Sequence, residues 1–225
     1  RLLRLPQSSR GTLSQSTFRG NLAYIGIPVL AYSFEGLPGK KEAFATAVIA
    51  MAFLMAVYNA LSVVLLSSGQ RSQNPLRTVL RSIFTNPLLL AGMAGTPLAF
   101  TATRLPVFLD RTLESLGGAA VPIALLCIGG SIAHAKLGDR LGGILAAALL
   151  KNLFSPLLVY FLSPLFGIVG DDLKIALVLA ACPTAAVSFV MVRQMGGDEP
   201  LASRSIVLST IFAAASLPLA LFLSR

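Results

Sequence analysis

Charge and metal-binding side chains are what this sequence has least of. Only 12% of its 225 residues are charged, where a soluble globular domain carries about a quarter. With a single histidine, His134, and two cysteines, Cys127 and Cys182, the chain cannot assemble a Cys/His zinc cluster. Both cysteines fall inside apolar runs, which marks them as small buried residues rather than a disulfide pair. No GxxxxGKS or GxxxxGKT phosphate loop occurs, which argues against an ATP-driven pump. The apolar runs hold no acid–base pair and no nucleophile beside a base, so an enzyme is not indicated and no cofactor or metal is expected. There is no secretory signal, and the first residue is Arg1 rather than Met, so an N-terminally incomplete protein is expected.

What is abundant is apolar sequence. Hydrophobic residues make up 55% of the chain and the mean hydropathy is +0.79. Charge-free windows cover 20–34, 43–70, 82–103, 115–133, 152–170, 175–192 and 205–224. Most approach the roughly 20 residues a helix needs to cross a bilayer. The first becomes long enough if Arg19 lies at the interface with its stem snorkelling. These windows predict an all-α, polytopic membrane protein with seven transmembrane helices. The net charge of +9 invites a nucleic-acid partner, but its placement points elsewhere. With loops alternating sides from a cytoplasmic start, Arg71, Arg77, Arg81, Lys136, Arg140, Arg193 and Arg204 all fall inside, with few acids beside them. That is the positive-inside pattern, with the start cytoplasmic and the C-terminus outside.

Residues 1–16 are polar and basic and read as a cytoplasmic loop. The first span, about 17–34, is interrupted at Gly26 and Pro28, and the second covers about 42–66. The stretch 68–85 is the longest polar connection and divides the chain into 1–67, with two helices, and 86–225, with five. The sixth span, about 173–192, is interrupted at Pro183. An interrupted span followed by a glycine turn and an acid-headed span thus occurs twice, in opposite orientations, as in inverted-repeat carriers. In that pattern 1–67 is the end of a first repeat, 68–85 a cytoplasmic connecting loop and 86–225 a second repeat. Broken helices survive in lipid only against protein or a water-filled cavity. Two of them at corresponding places favour a binding site over two incidental proline kinks.

The segments FRGNLAYIGIPV (18–29), NPLLLAGM (86–93), VPIALLCIGGSI (121–132), LLKNLFSPLL (149–158), CPTAAVSFVMVRQMGGD (182–198) and ASRSIVLST (202–210) resemble the auxin efflux carrier family. That family includes bacterial malate and malonate permease-like proteins and the plant PIN carriers. The resemblance spans essentially the whole chain and implies ten helices in two inverted sets of five, of which seven are present here. It also implies that the two broken helices cross at the site. Family members move small organic anions. The long central loop of the plant members is lacking, which implies a bacterial-type, multi-pass protein of the inner (plasma) membrane.

Candidate binding residues follow from this reading. Gly20 and Gly26 allow close backbone approach, Asn21 supplies a donor and an acceptor, and Pro28 interrupts the first broken helix. Pro183 does the same in the second, with Thr184 and Ser188 as polar contacts. Half-helix N-termini at such breaks suit a carboxylate. Lys151, the charged residue deepest in a span, either attracts an anionic substrate or pairs structurally. Tyr58 and Asn59 lie where the resemblance places pocket residues, and Ser62, one turn on, could bond Asn59 instead. Asp198 and Glu199 read as solvated loop charges. The expectation is secondary active transport of carboxylates such as malate, malonate or auxin-like acids by alternating access. Candidate partners besides the anion are the lipid bilayer, a coupling proton or sodium ion and a second copy of the chain, but not nucleic acid. The alternatives are a seven-helix receptor or sensor and a sodium-coupled carrier of the bile-acid symporter type.

Overall fold

The structure, a computed structural model, describes residues 5–36, 39–67, 90, 94–95, 97–98, 101, 105–133 and 141–224. Its elements are helical: α1 (Gln7–Phe18), α2 (Leu22–Ser33), α3 (Lys40–Ser67), α4 (Val107–Ala133), α5 (Leu141–Phe166), α6 (Gly170–Ala181), α7 (Val187–Gln194) and α8 (Glu199–Leu223). The expected loop boundary at 68–85 lies outside the described residues.

The first helix is the least expected. Its sequence QSSRGTLSQSTF has no apolar stripe and reads as a loop, yet Ser9, Thr12, Gln15 and Ser16 are buried. Two things make it a helix. Thr12 and Ser16 hydroxyls donate back to the carbonyls of Ser8 and Thr12, at 2.9 and 3.0 Å, so their polarity is absorbed locally. Gly11 lets the backbone touch α3, since a Cβ there would stand 2.6 Å from the Leu65 carbonyl oxygen. Far along the chain, Asp198 caps α8 by accepting from the Leu201 amide at 3.1 Å and also accepts from Ser9 Oγ at 2.7 Å. Its own amide donates to Thr12 Oγ1 at 3.0 Å, so this residue is a helix cap and a clamp on α1 rather than a solvated loop charge.

Apolar packing joins the rest. Leu22, Leu30 and Phe34 of the α2 region pack against Ala43 and Ala47 of α3 and Ile175, Val178 and Leu179 of α6. Val63 and Leu66 at the far end of α3 meet Met191, Val192 and Ala202. Leu13 of α1 packs with Ile144, Ala147 and Leu201. The opposite faces are greasy and exposed, among them Ile49 and Phe53 on α3, Phe161 and Leu165 on α5 and Phe222 on α8. Such faces belong against lipid acyl chains.

Among the described residues, three helices are long and apolar enough to cross a bilayer: α3, α5 and α8, of 28, 26 and 25 residues. This corrects the expectation of seven transmembrane helices out of ten. The first expected span, 17–34, is interrupted at residues 19–21: its first two residues end polar α1, and the rest forms the 12-residue apolar α2. The sixth divides into α6 and α7, of 12 and 8 residues. Most of the third lies outside the described residues, and the fourth falls on α4, whose opening turns carry Asp110, Arg111 and Glu114.

Candidate functional site

An interrupted helix exposes carbonyls at the end of one piece and amides at the start of the next, and a buried interruption must satisfy both. Here the two interruptions satisfy each other. Between α1 and α2 the chain is extended at Arg19 and bent at Asn21; between α6 and α7 it is extended at Cys182. The Asn21 amide donates to the Pro183 carbonyl at 2.7 Å, and the Ala185 amide donates to the Arg19 carbonyl at 2.9 Å. This forms an antiparallel bridge between Gly20 and Thr184, two residues separated by most of the chain. Thr184 is locked from both sides. Its amide donates to Ser209 Oγ at 2.9 Å and its hydroxyl to the Ser16 carbonyl at 2.8 Å.

The glycines explain the close fit. A Cβ on Gly20 would stand 2.9 Å from Leu22 Cδ2, and one on Gly26 would stand 2.9 Å from the Cys182 sulfur. Both are therefore packing positions. The break itself lies upstream of its expected place, at Arg19–Asn21 rather than at Gly26 and Pro28. Leu22–Gly26 forms a π turn that runs directly into the α-helical part, and Pro28 lies inside the continuous helix Leu22–Ser33, just after that turn.

Beside the bridge is a cavity of about 110 Å³. Gly20, Asn21, Tyr58 and Asn59 line it, together with Arg19, the first turn of α2 (Leu22, Ala23, Tyr24) and Val187 at the start of α7. The ring of Phe18 holds that of Tyr58 edge-on at 5.7 Å. Asn21 is buried, and its Nδ2 has no hydrogen-bond partner among the described residues. The remaining candidates stand outside the cavity wall: Pro183 and Thr184 in the bridge, Gly26 against Cys182, Pro28 within α2 and Ser188 buried on α7, its hydroxyl without a partner among the described residues.

Arg19 is the residue the sequence reading missed. It is only 5% exposed, not snorkelling. Its guanidinium donates to Asn59 Oδ1 at 2.6 Å, to Ser62 Oγ at 3.2 Å and to the Met191 sulfur. Asn59 and Ser62 thus share Arg19 instead of bonding each other. The signal available was an arginine directly before the Gly-Asn pair of an interrupted helix.

Lys151 is placed elsewhere. A π turn at Leu150–Phe154 rotates Lys151 and Asn152 inward, and Lys151 Nζ donates to the Ala180 carbonyl at 2.6 Å. Asn152 Nδ2 reaches Ser216 Oγ at 3.3 Å, Ser216 donates to the Ala181 carbonyl at 3.1 Å, and Ser209 donates to Asn152 Oδ1. This cluster satisfies the carbonyls released where α6 ends. Lys151 is not among the residues lining the cavity.

A second hollow, of about 600 Å³, is lined by Phe189, Gly197, Asp198, Glu199, Pro200 and Ser203 beside the start of α8. Among the described residues no group of three or more His, Cys, Asp or Glu is placed to hold a metal ion.

Residues 1–221 match the family described as membrane transport protein. The chain is 28% identical over 229 residues to a protein of Rhizobium meliloti provisionally named a malonate transporter, covering 96% of this chain and 69% of that one. It is 28% identical over 202 residues to an uncharacterized transporter of Methanothermobacter thermautotrophicus, covering 88% and 63%. Against an uncharacterized transporter of Methanocaldococcus jannaschii it is 26% identical over 140 residues, covering 61% and 46%. The chain therefore spans about half to two thirds of the length of these relatives. No solved structure matches it significantly. With the family matching nearly from end to end, the chain belongs to the membrane transport protein family and is an auxin-efflux-carrier-like transporter.

Proposed function

We propose that the protein carries small organic anions across the plasma membrane, binding them in the cavity beside the bridged helix breaks and releasing them by alternating access. The observation that carries this reading is Asn21, which lines a 110 Å³ cavity while its buried Nδ2 has no partner among the described residues. A buried donor without a partner is a net cost that an incoming acceptor removes. Two helix starts, those of α2 and α7, contribute to the same wall, and helix N-termini carry partial positive charge that favours a carboxylate.

Size narrows the substrate. Pockets for drug-sized ligands run to about 300–1,000 Å³, so this cavity suits a compact aliphatic carboxylate of malonate or malate size better than an aromatic acid. The provisional malonate assignment of the Rhizobium relative agrees with that class. The orientation, a cytoplasmic start and an outside C-terminus, remains the one favoured by the basic loops. A coupling proton or sodium ion and a homodimer are compatible with this reading.

The test is uptake of labelled malonate, malate and indole acetate by the full-length protein in proteoliposomes, with and without proton and sodium gradients. Saturable uptake of the aliphatic acids, lowered in Asn21→Ala at equal insertion, is the expected result. A correctly inserted protein that takes up none of the three carboxylates would overturn the proposal.

A further inference from the structure

We infer that Arg19 is the charge-selecting residue of this transporter and that a substrate carboxylate binds by taking the place of Asn59 at the Arg19 guanidinium. This inference rests on the proposed function and assigns the step that makes the cavity choose an anion over its neutral analogue.

The argument starts from what a buried arginine requires. A guanidinium presents five N–H donors and is a permanent cation. Buried charges are ordinarily paired with an opposite charge, because taking an ion out of water is costly. Arg19 is buried, yet no carboxylate lies within ion-pairing distance of it among the described residues. Its acceptors are all neutral: an amide oxygen, a hydroxyl and a thioether sulfur. Among the described residues the positive charge is thus hydrogen-bonded but not compensated, and Arg19 lines a cavity open to a small ligand. Two residues on, Asn21 lines the same cavity, and its buried Nδ2 is a second donor with no partner among the described residues. One uncompensated cation and one orphaned amide donor form the complement of a carboxylate, whose two oxygens each accept more than one hydrogen bond.

Asn59 explains how such a site can also let its substrate go. Asn59 Oδ1 is the closest oxygen acceptor of Arg19, at 2.6 Å, and Asn59 lines the same cavity. In the empty site it acts as an internal stand-in for the substrate oxygen. An arriving carboxylate exchanges a neutral acceptor for a charged one, and a departing carboxylate is replaced without stranding the cation. The exchange also has a mechanical consequence. Asn59 and Ser62 belong to α3, whereas Arg19 sits in the break between α1 and α2. When the site is empty, Arg19 ties the break to α3; when it is filled, the Asn59 tie is released. Occupancy is thereby coupled to the contact between the broken element and a long lipid-facing helix. A ligand shifts a conformational equilibrium only through such a differential contact.

Lys151 offers no substitute for this role, since its Nζ is bonded to the Ala180 carbonyl and it is not part of the cavity wall.

The test compares the full-length protein with Arg19→Gln, Arg19→Lys and Asn59→Ala in proteoliposomes. It reads uptake of labelled malonate and its inhibition by unlabelled malonate and by malonamide, the neutral analogue. For the wild type, malonate inhibits and malonamide does not. In Arg19→Gln the KM for malonate rises by about tenfold or more, the scale of one charge-assisted hydrogen bond, and the preference for malonate over malonamide falls with it. Arg19→Lys restores part of that preference. Asn59→Ala carries the opposite sign: with the competing acceptor gone, the KM for malonate falls by about threefold, the scale of one net hydrogen bond. An inserted Arg19→Gln protein that keeps the wild-type preference for malonate overturns the inference while leaving the proposed function in place. If Arg19→Gln does not insert, Asn59→Ala decides: a KM that is unchanged or raised overturns the exchange. A wild type that takes up malonate but is inhibited equally by malonamide overturns it as well.

Discussion

Two buried basic residues, Arg19 and Lys151, have nearly the same exposure, 5% and 1%, and opposite surroundings. Lys151 points at the carbonyl end of α6 and is committed to Ala180 at 2.6 Å, inside a cluster with Asn152, Ser209 and Ser216 that closes the second break. Arg19 borders a cavity, bonded to neutral groups on α3 and α7 with an unpartnered amide beside it. A basic residue deep in a membrane segment is thus not automatically part of a substrate path. What separates the two is whether the surrounding backbone already uses the donor.

This contrast predicts different consequences for loss of each side chain. Lys151→Met removes the donor from a buried carbonyl, which costs about 3 kcal/mol at the upper end for such groups. The expected readout is a markedly lower unfolding temperature in detergent, with the KM for malonate unchanged in the fraction that inserts. A raised KM at wild-type stability would place Lys151 in the substrate path and erase the distinction. Next in size is Gly26→Ala. Its methyl group would meet the Cys182 sulfur at 2.9 Å, an overpacking cost of about 2 kcal/mol. The double variant Gly26→Ala/Cys182→Ala should recover most of the lost stability, because the sulfur is the obstacle. Failure to recover would mean that the α2–α6 contact depends on more than this pair. Thr184→Val deletes the hydroxyl bond to the Ser16 carbonyl at 2.8 Å while leaving the bridge amides intact, for about 1 kcal/mol in thermal unfolding. The smallest effect belongs to Tyr58→Phe. The ring contact with Phe18 survives, so stability should change by less than about 0.5 kcal/mol. A changed KM in this variant would sharpen the account by adding the phenol to the substrate contacts.

How much of this was readable beforehand differs residue by residue. That two apolar segments are interrupted was legible, because Gly, Asn and Pro have no business in an unbroken lipid-crossing helix. The position of the first interruption was not. Proline usually breaks a helix, but Pro28 is carried inside helix Leu22–Ser33 just after a π turn, so the apparent break lies several residues downstream of the real one. Helix α1 was invisible because its stabilising partners, Asp198 and the Leu65 backbone, are remote in sequence. The same distance hid Arg19. At the edge of an apolar run it looks like a snorkelling residue, and only the fold brings Asn59 and Met191 to it. For Lys151 the burial was legible, as a charge deep within a span, but its partner was not, since Ala180 offers only a backbone carbonyl. The number of long apolar helices was overread because charge-free windows do not distinguish a spanning helix from two short helices meeting at a break. Gly20, Asn21, Tyr58 and Asn59 come together at the cavity, whereas Lys151 and Pro28 do not line it.

The central claim is that the joined breaks form the carboxylate site, and equilibrium binding of labelled malonate to the purified full-length protein tests it most directly. The wild type should bind saturably, with malate competing and malonamide not. Asn21→Ala should lose about tenfold in affinity, some 1.4 kcal/mol, at an unchanged unfolding temperature. Wild-type affinity in an Asn21→Ala protein that folds normally would contradict the account and move the site away from the bridge.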